Sequence, residues 1–328
     1  MQLKPMKPAK LDLEKESHQK RLKTYFDSPH YVVEPKLDGC HYINQGGSFI
    51  STQRFKDKTG NFPHLVEGFL AAELGLAVLD GEIYYPGTNS FAATKITGCK
   101  APEAIRKQEE ELGWIFYCVF DILRDPEGNW LFNHTWYNRR EVLEQVFTKL
   151  KAVSEYYHIV PVIRRRKQQF LEQELAAGRE GVVIKHVNGL YIPGKRPQGN
   201  WTKIKIELED DVVIMGFDPP NKEYTGKDYD NWPYWEDGLP VSKNYYCGLI
   251  GSIVFGKYDQ TGELHYLGTC SGIDDATRRE FSTNSQAYIG RVMKIRAMEK
   301  TEEGRYRSPH FVQLHPDKNP EECIVGGV

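Results

Sequence analysis

The stretch Glu34-Pro35-Lys36-Leu37-Asp38-Gly39 constrains this chain more than any other, because it lies between two runs typical of β-strands. A lysine two residues before Asp-Gly carries little weight alone, since most such lysines lie on a surface before a turn. Further blocks follow it, each ending or interrupting an apolar, β-rich segment: Asp80-Gly81-Glu82, Phe120-Asp121, Glu180-Gly181-Val182-Val183-Ile184-Lys185 and Trp201-Thr202-Lys203-Ile204-Lys205. Several strands can therefore deliver a lysine, carboxylates and further cations to one cleft.

The residue types in this ordered set suit a lysine nucleophile that attacks a nucleotide phosphate. A lysine amine is nucleophilic only when it is unprotonated, and its ordinary pKa is about 10.4. Neighbouring cations lower such a pKa, and the predicted neighbours of Lys36 are Lys185, Lys203, Lys205 and a bound metal. The same three side chains would hold the phosphates of the nucleotide.

The carboxylates in the set have two expected tasks. Glu82 and Glu180 can accept a hydrogen bond from a ribose hydroxyl or hold Mg²⁺. Asp38, two residues after Lys36, is a third expected metal ligand. Phe120 can stack on a purine, although an apolar strand residue more often belongs to the core.

Hydrophobic periodicity predicts strands and helices that do not alternate regularly. Strands are predicted over 77–85, 114–123, 181–186 and 200–206, a hairpin is predicted to turn at 45–47, and helices are predicted over 65–76, 101–112, 139–152 and 170–177. This mixture predicts an α+β domain over residues 1–208.

The pattern of predicted secondary structure changes after the acidic run at 207–211. Short strands are predicted over 212–217, 249–258, 264–270 and 292–298, with one helix over 275–288. This pattern predicts a small closed barrel of the OB type over residues 209–328. The segment 219–247, which is rich in Tyr, Trp, Asp, Gly and Pro, is predicted to be a long, partly ordered loop.

Composition excludes some classes of protein. The six cysteines are widely spread without a C-x-x-C pair, which argues against a structural zinc site and a disulfide framework. Residues 1–23 are charged and lack an apolar core, and no run approaches the roughly 18 apolar residues that span a bilayer. These features predict a cytoplasmic protein without membrane contact. The net charge of −2 does not indicate a nucleic-acid binder, but basic runs at 4–10, 20–23 and 164–167 allow a positive face.

Together the blocks resemble the covalent nucleotidyltransferases, and among them the ATP-dependent DNA ligases of the small, two-domain bacteriophage type. The resemblance extends from about Tyr31 to about Asp317. It implies a nucleotidyltransferase (adenylation) domain of antiparallel sheets with helices, followed by an OB-fold domain.

The resemblance also implies roles for individual residues. Lys36 would take AMP as a phosphoramidate, and Glu34 would read the adenine amino group. Arg54 matches the arginine of the next motif, Glu82 the ribose contact, and Phe120 the aromatic residue that stacks on the purine.

Two later blocks complete the implied nucleotide site. Glu180 with Lys185 resembles the metal-binding motif, and Lys203 and Lys205 match the two lysines that contact the phosphate. The terminal block, Arg307 to Phe311 followed by His315 to Lys318, resembles the OB-domain motif that orients pyrophosphate. Its matching residues are Arg307, Asp317 and Lys318.

Histidine stands at two positions where the family usually has arginine. His41 corresponds to the contact with the 5′-phosphate of a nick, and His315 to the late arginine of the terminal motif. Histidine lacks the bidentate fork and fixed charge of arginine, so we expect phosphate affinity that is weaker or depends on pH.

The segment from Gly189 to Lys195 fits the G-x-x-x-x-G-K pattern of a P-loop. However, Arg196 stands where Ser or Thr would hold Mg²⁺, and no helix is predicted to begin there. We interpret Lys195 and Arg196 as part of a basic loop that grips a DNA backbone.

The resemblance implies that a monomer seals nicked duplex DNA, with ATP as adenylyl donor and Mg²⁺ or Mn²⁺ as the metal. Capping of mRNA with GTP and the joining of RNA are alternatives from the same superfamily. Glu34 disfavours GTP, the terminal motif disfavours several RNA-joining branches, and the missing zinc module disfavours NAD⁺. From another class, a non-catalytic OB protein could bind single strands through the aromatic residues of 224–235.

Overall fold

The computed structural model describes residues 3–13, 15–87, 90–205, 207–298, 300 and 304–325. The chain divides into two compact units, Met1–Ile206 (unit 1) and Glu207–Val328 (unit 2). The predicted boundary, after residue 208, lies two residues further on. Within the described ranges, no helix has the length and apolar character that a bilayer-spanning segment needs.

Unit 1 mixes helices and strands along the chain. Its strands are β1 (Ala9–Leu11), β2 (Tyr31–Pro35), β3 (Cys40–Gln45), β4 (Ser48–Ser51), β5 (Val78–Tyr84), β6 (Phe116–Arg124), β7 (Tyr157–Ile159), β8 (Gly181–His186) and β9 (Trp201–Lys205). Its helices are α1 (Glu16–Asp27), α2 (Pro63–Ala71), α3 (Ser90–Thr97), α4 (Ala101–Lys107, extended by a π-helical turn at Gln108–Leu112), α5 (Trp136–Val153) and α6 (Lys167–Ala176).

The strands of unit 1 form two sheets that are antiparallel except at one edge each. The first sheet has the order β1-β9-β8-β2, in which β1 runs parallel to β9. The second has the order β4-β3-β5-β6-β7, in which β7 runs parallel to β6. The predicted hairpin joins β3 to β4, whereas β2, which precedes the lysine, belongs to the first sheet.

Strand alternation makes the first sheet apolar on one face and charged on the other. Val33, Ile184 and Ile204 belong to the apolar face, where they pack with Leu22 of α1 and Leu171 of α6. The register places the intervening charged residues together on the opposite face: Glu34, Lys185, Lys203 and Lys205.

The second sheet also has two different faces. One face packs through Leu79, Ile83 and Val119 in the main core, together with residues of α2 and α5. The other face contributes Ile43 to a small core that it shares with Trp201 of the first sheet. The two sheets therefore face each other, with the charged face of the first sheet turned inward.

Unit 2 is built around a five-stranded antiparallel sheet in the order β14-β13-β10-β15-β16. Its elements are β10 (Leu208–Asp218), β11 (Trp235–Glu236), β12 (Leu239–Pro240), α7 (Lys243–Tyr246), β13 (Ser252–Tyr258), β14 (Leu264–Cys270), α8 (Asp275–Thr283), β15 (Val292–Ala297) and β16 (His310–His315). A parallel bridge between Ser271 and His310 joins the two outer strands and closes a barrel. This order, with α8 between the third and fourth barrel strands, confirms the predicted OB fold.

Residues 219–251, between β10 and β13, are mostly irregular but contain β11, β12 and α7, so the segment predicted as a long, partly ordered loop has short elements of its own. Trp232 stacks on Tyr224 with ring centroids 3.9 Å apart, and its indole N–H donates to the carbonyl of Val241 at 2.6 Å. Lys243 Nζ donates to Asp275 at 2.6 Å, which attaches the segment to α8. The aromatic residues that suggested a loop pack on one another.

Candidate active site

Lys36 lies in the short link that carries the chain from the first sheet to the second, between β2 and β3. Its backbone N–H donates to the carbonyl of Gly181 at 2.9 Å. Gly39 is required in this link, since a Cβ atom there would stand 2.4 Å from the carbonyl oxygen of Ile83. The link therefore holds the backbone of the predicted nucleophile between the two sheets.

One carboxylate, that of Glu180, contacts two lysines. Its Oε2 accepts a hydrogen bond from Lys36 Nζ at 2.6 Å, and its Oε1 lies 2.9 Å from Lys205 Nζ. Gly181 follows it with a φ of +121°, and a Cβ atom there would meet the carbonyl oxygen of Ile204 at 2.3 Å. Only glycine allows the close strand contact that presents Glu180 to both lysines.

Lys203 is a third lysine at this place, and no described residue forms an ion pair with it. Burial lowers the pKa of Lys203, and the charges of Lys36, Lys205 and Arg196 lower it further against the opposing effect of Glu180. We call Lys36, Lys203, Lys205 and Glu180 the lysine cluster. Its surplus of positive charge suits a bound phosphate.

Lys185 was predicted to stand with these lysines, but its contacts are with another group. Its Nζ lies 2.7 Å from Glu34 Oε2 and donates to the carbonyl of Phe120 at 2.9 Å. The same atom lies 5.2 Å from the ring centroid of Phe120 and 4.4 Å from that of Trp201. Lys185 and Glu34 are both almost fully buried. Lys185 therefore positions Glu34 and Phe120.

Glu34 has one carboxylate oxygen with a partner and one without. Its Oε1 is buried and makes no hydrogen bond within the described part of the chain. Burial raises the pKa of Glu34, and the charge of Lys185 counteracts that effect only in part. A buried acceptor without a partner costs about 1–3 kcal/mol, so Oε1 is suited to accept from a ligand amino group.

The predicted metal ligands Asp38, Glu82 and Glu180 interact electrostatically. Burial is the main cause that raises the pKa of Glu82 to about 7; His41 and Lys36 lower this pKa, and Glu180 and Asp38 raise it. Carboxylates that destabilise one another's charge are stabilised by a cation. Their oxygen atoms are the donor type that Mg²⁺ prefers, although the three carboxylates do not meet within 4.8 Å of one another in the described part of the chain.

His41 is held by a buried carboxylate. Its Nε2 lies 2.5 Å from Asp80 Oδ1, and the hydroxyl of Tyr191 donates to Asp80 Oδ2 at 2.7 Å. Burial lowers the pKa of His41, but the charges of Asp80 and Glu82 outweigh it, so this pKa is raised. The ring of His41 lies 5.4 Å from that of Phe120. His41 therefore carries more positive charge at neutral pH than a free histidine.

Sequence patterns did not reveal Arg139, which is fully buried at the beginning of α5. Its guanidinium donates to both oxygens of Asp121, at 2.7 and 2.8 Å, and to the carbonyl of His134 at 2.7 Å. Asp121 thus anchors α5 to β6. One signal was present: Arg139 occupies the same helical stripe as Leu143 and Val146, where an apolar residue is expected.

Three other predicted residues, Arg54, Lys195 and Arg196, have exposed side chains on loops. Arg54 lies in a turn after β4, where the next residue, Phe55, has a left-handed φ of +51°. Lys195 and Arg196 lie in the loop 187–200 between β8 and β9. That loop contains no helix, which confirms that its G-x-x-x-x-G-K pattern is not a P-loop.

The terminal-motif residues lie in unit 2, at the two ends of β16. Arg307 precedes the strand, and Asp317 and Lys318 follow it. Lys318 Nζ donates to Asp211 Oδ2 at 2.8 Å, and His315 Nε2 lies 3.1 Å from Asp211 Oδ1. Unit 2 therefore supplies a carboxylate for Lys318, whereas His315 Nε2 and Asp211 Oδ1 make no hydrogen bond with each other. Arg307 lies before β16, at the other end of the strand from both residues.

A groove of about 890 Å³ lies between α2 and the end of α5. His64, Phe147 and Tyr156 are among its lining residues. None of the predicted site residues lines this groove, so it is separate from the lysine cluster.

Comparison with known proteins finds similar sequences among DNA ligases. The DNA ligase of Thermococcus fumicolans is 27% identical over 325 residues, which cover 89% of this chain and 53% of that protein. The DNA ligase of Thermococcus onnurineus is 25% identical over 324 residues, which cover 89% and 52%. The chain thus spans about half the length of these curated relatives.

A solved structure of a Lig E DNA ligase has the same fold. It superposes with a TM-score of 0.63 at 17% identity, and the match covers 95% of this chain and 100% of that one. Two facing sheets followed by an OB barrel therefore define a nucleotidyltransferase-type domain with an OB domain. The family described as "ATP dependent DNA ligase domain" matches residues 13–205, more than half of the chain. The chain belongs to this family.

Proposed function

We propose that this protein seals nicks in duplex DNA through a covalent lysyl-AMP intermediate, with ATP as the adenylyl donor. The observation that carries the proposal is the lysine cluster, in which Lys36 and Lys205 share the carboxylate of Glu180 and Lys203 adds a third positive charge. A primary amine within a surplus of positive charge is suited to attack a triphosphate. Membership of the family over residues 13–205 supports the choice of ATP and DNA.

In the first proposed step, Lys36 Nζ attacks the α-phosphorus of ATP. A phosphorus–nitrogen bond forms, the bond from the α-phosphorus to the bridging oxygen breaks, and pyrophosphate leaves with the electron pair. The amine loses a proton, and the carboxylate of Glu180, 2.6 Å from Nζ, is an acceptor in contact with it. Lys203 and Lys205 offset the charge that develops on the phosphate oxygens.

In the second step, AMP passes from Lys36 to the 5′-phosphate of the nick, so the phosphorus–nitrogen bond breaks and a phosphoanhydride forms. In the third step, the 3′-hydroxyl attacks the 5′-phosphate, a phosphodiester forms and AMP leaves. His41, Lys195 and Arg196 are the proposed contacts to DNA phosphates. The raised pKa of His41 supports this role, because a protonated histidine attracts an anion.

Nucleoside recognition is assigned to residues around the facing sheets. Glu34 Oε1 would accept from the adenine amino group, which would satisfy its buried lone pair. Phe120, half-buried beside Lys185, would stack on the purine, and Glu82 would accept from a ribose hydroxyl. Arg54 would contact the nucleotide from its exposed turn. Arg307, Asp317 and Lys318 of the terminal motif would orient pyrophosphate. One chain contains all these groups, so we propose a monomer.

The carboxylates Asp38, Glu82 and Glu180 are proposed to hold Mg²⁺, or Mn²⁺ in its place. Their oxygen donors and the raised pKa of Glu82 support this assignment. When bound, the ion neutralises phosphate charge and polarises the phosphorus–oxygen bonds.

Incubation with α-labelled ATP and Mg²⁺, followed by denaturing electrophoresis, tests the proposal. We expect label that survives denaturation in the wild type and in Lys23→Ala, an exposed-lysine control on α1, but not in Lys36→Ala. Sealing of a nicked DNA duplex against a nicked RNA duplex then identifies the polynucleotide. Wild-type protein that never takes up label would refute the lysyl-AMP intermediate.

One observation bears on the GTP alternative. Guanine presents a carbonyl oxygen where adenine presents an amino group, so it would leave Glu34 Oε1 unsatisfied and place two acceptors together. Labelling with α-labelled GTP in parallel should therefore be much weaker than with ATP. Stronger labelling by GTP would favour a capping enzyme.

A further inference from the structure

A strip of exposed cations borders the lysine cluster, and we call it the basic ribbon. Its members are Lys4, Lys7, Lys10, Lys195 and Arg196, all with exposed side chains. The cations come from two segments, 3–10 and 189–200, and neither segment contains Asp or Glu. The ribbon is therefore positive along its whole length.

Backbone hydrogen bonds hold the two segments side by side. The N–H of Lys7 donates to the carbonyl of Lys195, and the N–H of Gly194 donates to the carbonyl of Lys4, both at 2.9 Å. Between them Met6 is buried, and its N–H donates to the hydroxyl oxygen of Tyr191 at 3.0 Å. The cations thus project from a backbone that is anchored to the core.

The basic ribbon continues into the lysine cluster. β1 runs parallel to β9 and aligns Lys10 with Lys203, which places both side chains on the charged face of the first sheet. Burial and the charges of Lys36, Lys205 and Arg196 lower the pKa of Lys203, so Arg196 is close enough to act on it. The two groups of cations form one continuous surface.

Four members of the basic ribbon differ from cations of other basic runs, which form ion pairs or hydrogen bonds within the fold. No described carboxylate forms an ion pair with these four members: Lys4, Lys7, Lys195 and Arg196. By contrast, Lys167 is buried and donates to the carbonyls of Tyr25 and Ser28 at 3.2 and 2.6 Å. Lys20 on α1 pairs with Glu16 at 2.8 Å.

We propose that the basic ribbon binds the phosphodiester backbone of one DNA strand beside the nick, so that the N-terminal segment is part of the DNA-binding surface. The proposal rests on the proposed nick-sealing function and extends it to Lys4, Lys7 and Lys10. An extended segment from Lys4 to Lys10 spans about 20 Å. A DNA strand carries roughly six phosphates over that axial length. Such contacts confer no sequence preference.

The test is the salt dependence of binding to a nicked duplex whose 3′ end lacks a hydroxyl, so that it cannot be sealed. The wild-type chain is compared with Lys4→Gln/Lys7→Gln and with the control Arg21→Gln/Lys23→Gln. The control removes two exposed charges from α1, which packs on the opposite face of the first sheet. Kd is measured by fluorescence anisotropy between about 50 and 200 mM NaCl, and wild-type labelling by ATP is measured in parallel.

We expect the ribbon variant to reduce the slope of log Kd against log salt by about 1 to 2, and to raise Kd roughly tenfold at the low-salt end. The control should match the wild type. An unchanged slope in the ribbon variant, or an equal loss of affinity in the control, would overturn the inference. If the wild type is still labelled by ATP, the proposed function is unaffected by that result. Wild type that binds the nick through the ribbon but is never labelled would instead reject the proposed function alone.

Discussion

The lysine cluster of unit 1 and a carboxylate cluster in unit 2 contain the same residue types in different proportions. We define the carboxylate cluster as Asp210, Asp211, Lys257, Lys300, Tyr306 and Lys318. Asp210 lies 2.6 Å from both Lys257 Nζ and Lys300 Nζ, and Lys318 donates to Asp211 at 2.8 Å. Three lysines face two carboxylates here, whereas the lysine cluster has three lysines and one carboxylate, which pairs with two of them.

This difference in the proportions of charge distinguishes the two clusters. The cations of the carboxylate cluster support the fold, whereas the lysine cluster has positive charge available to a ligand. Burial alone would raise the pKa of Asp210, but hydrogen bonds from Lys257, Lys300 and Tyr306 lower it to about 2. In the lysine cluster the pKa of Lys203 is lowered, because burial and neighbouring cations destabilise its charge. A cluster whose charges are more nearly balanced stabilises the folded protein, and one with a larger surplus of positive charge is stabilised by an incoming anion.

The largest expected effect comes from removing the unbalanced charge. Lys203→Gln should slow the labelling of Lys36 by ATP about a hundredfold, as the loss of a transition-state donor does elsewhere. The free energy of unfolding should not fall, because the substitution removes like-charge repulsion. Single-turnover labelling and chemical denaturation measure the two quantities. Normal labelling combined with a large loss of stability would show that Lys203 supports the fold. The lysine cluster and the carboxylate cluster would then not differ in role.

The carboxylate cluster should respond in the opposite way, with a loss of stability. Lys257→Gln leaves Asp210 with fewer partners in a mostly buried place, so the free energy of unfolding should fall by about 2 to 3 kcal/mol. Denaturation of the full chain measures this change, with Lys203→Gln as the matched lysine control. An equal stability for both variants would mean that the proportions of charge do not distinguish the clusters.

A smaller effect is expected at the nucleoside end of the site. Glu34→Gln keeps the shape of the side chain but removes the negative charge opposite Lys185 and changes the acceptor for adenine. The KM for ATP in the labelling reaction should rise about tenfold, or about 1.4 kcal/mol. Glu172→Gln, an exposed substitution on α6, is the control. A KM that does not move would place adenine elsewhere.

The smallest expected effect is a pair of opposite pH responses. Glu82 has a pKa of about 7, above its unfolded value, so its contribution to stability is present at low pH and is lost as pH rises to about 7. The pKa of Asp210 is depressed, so its contribution is present above about 4 and is lost as pH falls to about 2.

Denaturation without divalent ions should therefore show a stability loss of the order of 1 kcal/mol between about pH 5 and 8. Glu82→Gln should abolish this loss, and Mg²⁺ should reduce it by stabilising the charged carboxylate. Retention of the full loss in Glu82→Gln would assign it to another group.

The sequence predicted best those elements whose pattern is local. β8 lies at 181–186 as predicted, because it contains the β-branched run Val182-Val183-Ile184, and β9 lies within the predicted range, because Ile204 alternates with Lys203 and Lys205. β10 begins at Leu208, four residues before the predicted strand. The acidic residues at its start do not favour a strand alone, and their partners Lys257 and Lys318 are remote in the sequence.

The residue types of the site could be predicted, but not all of their partners. Lys36, Lys203 and Lys205 follow from motifs, and the structure places Lys36 and Lys205 on Glu180, with Lys203 near enough to sense their charges. The contact between Lys185 and Glu34 depends on the pairing of β8 with β2, which no local pattern specifies. The same limit applies to the terminal motif, whose lysine is bound by a carboxylate of another strand.

The shared carboxylate of Glu180 has a consequence for the progress of the reaction. In the proposed reaction, Lys36 Nζ would lose its full positive charge once it is bonded to phosphorus, and Glu180 would keep one cationic partner, Lys205, instead of two. Its Oε2 would then be available to a metal ion beside the nucleotide. The carboxylate that holds the resting amine would thereby become a metal ligand for the next stage of the proposed reaction.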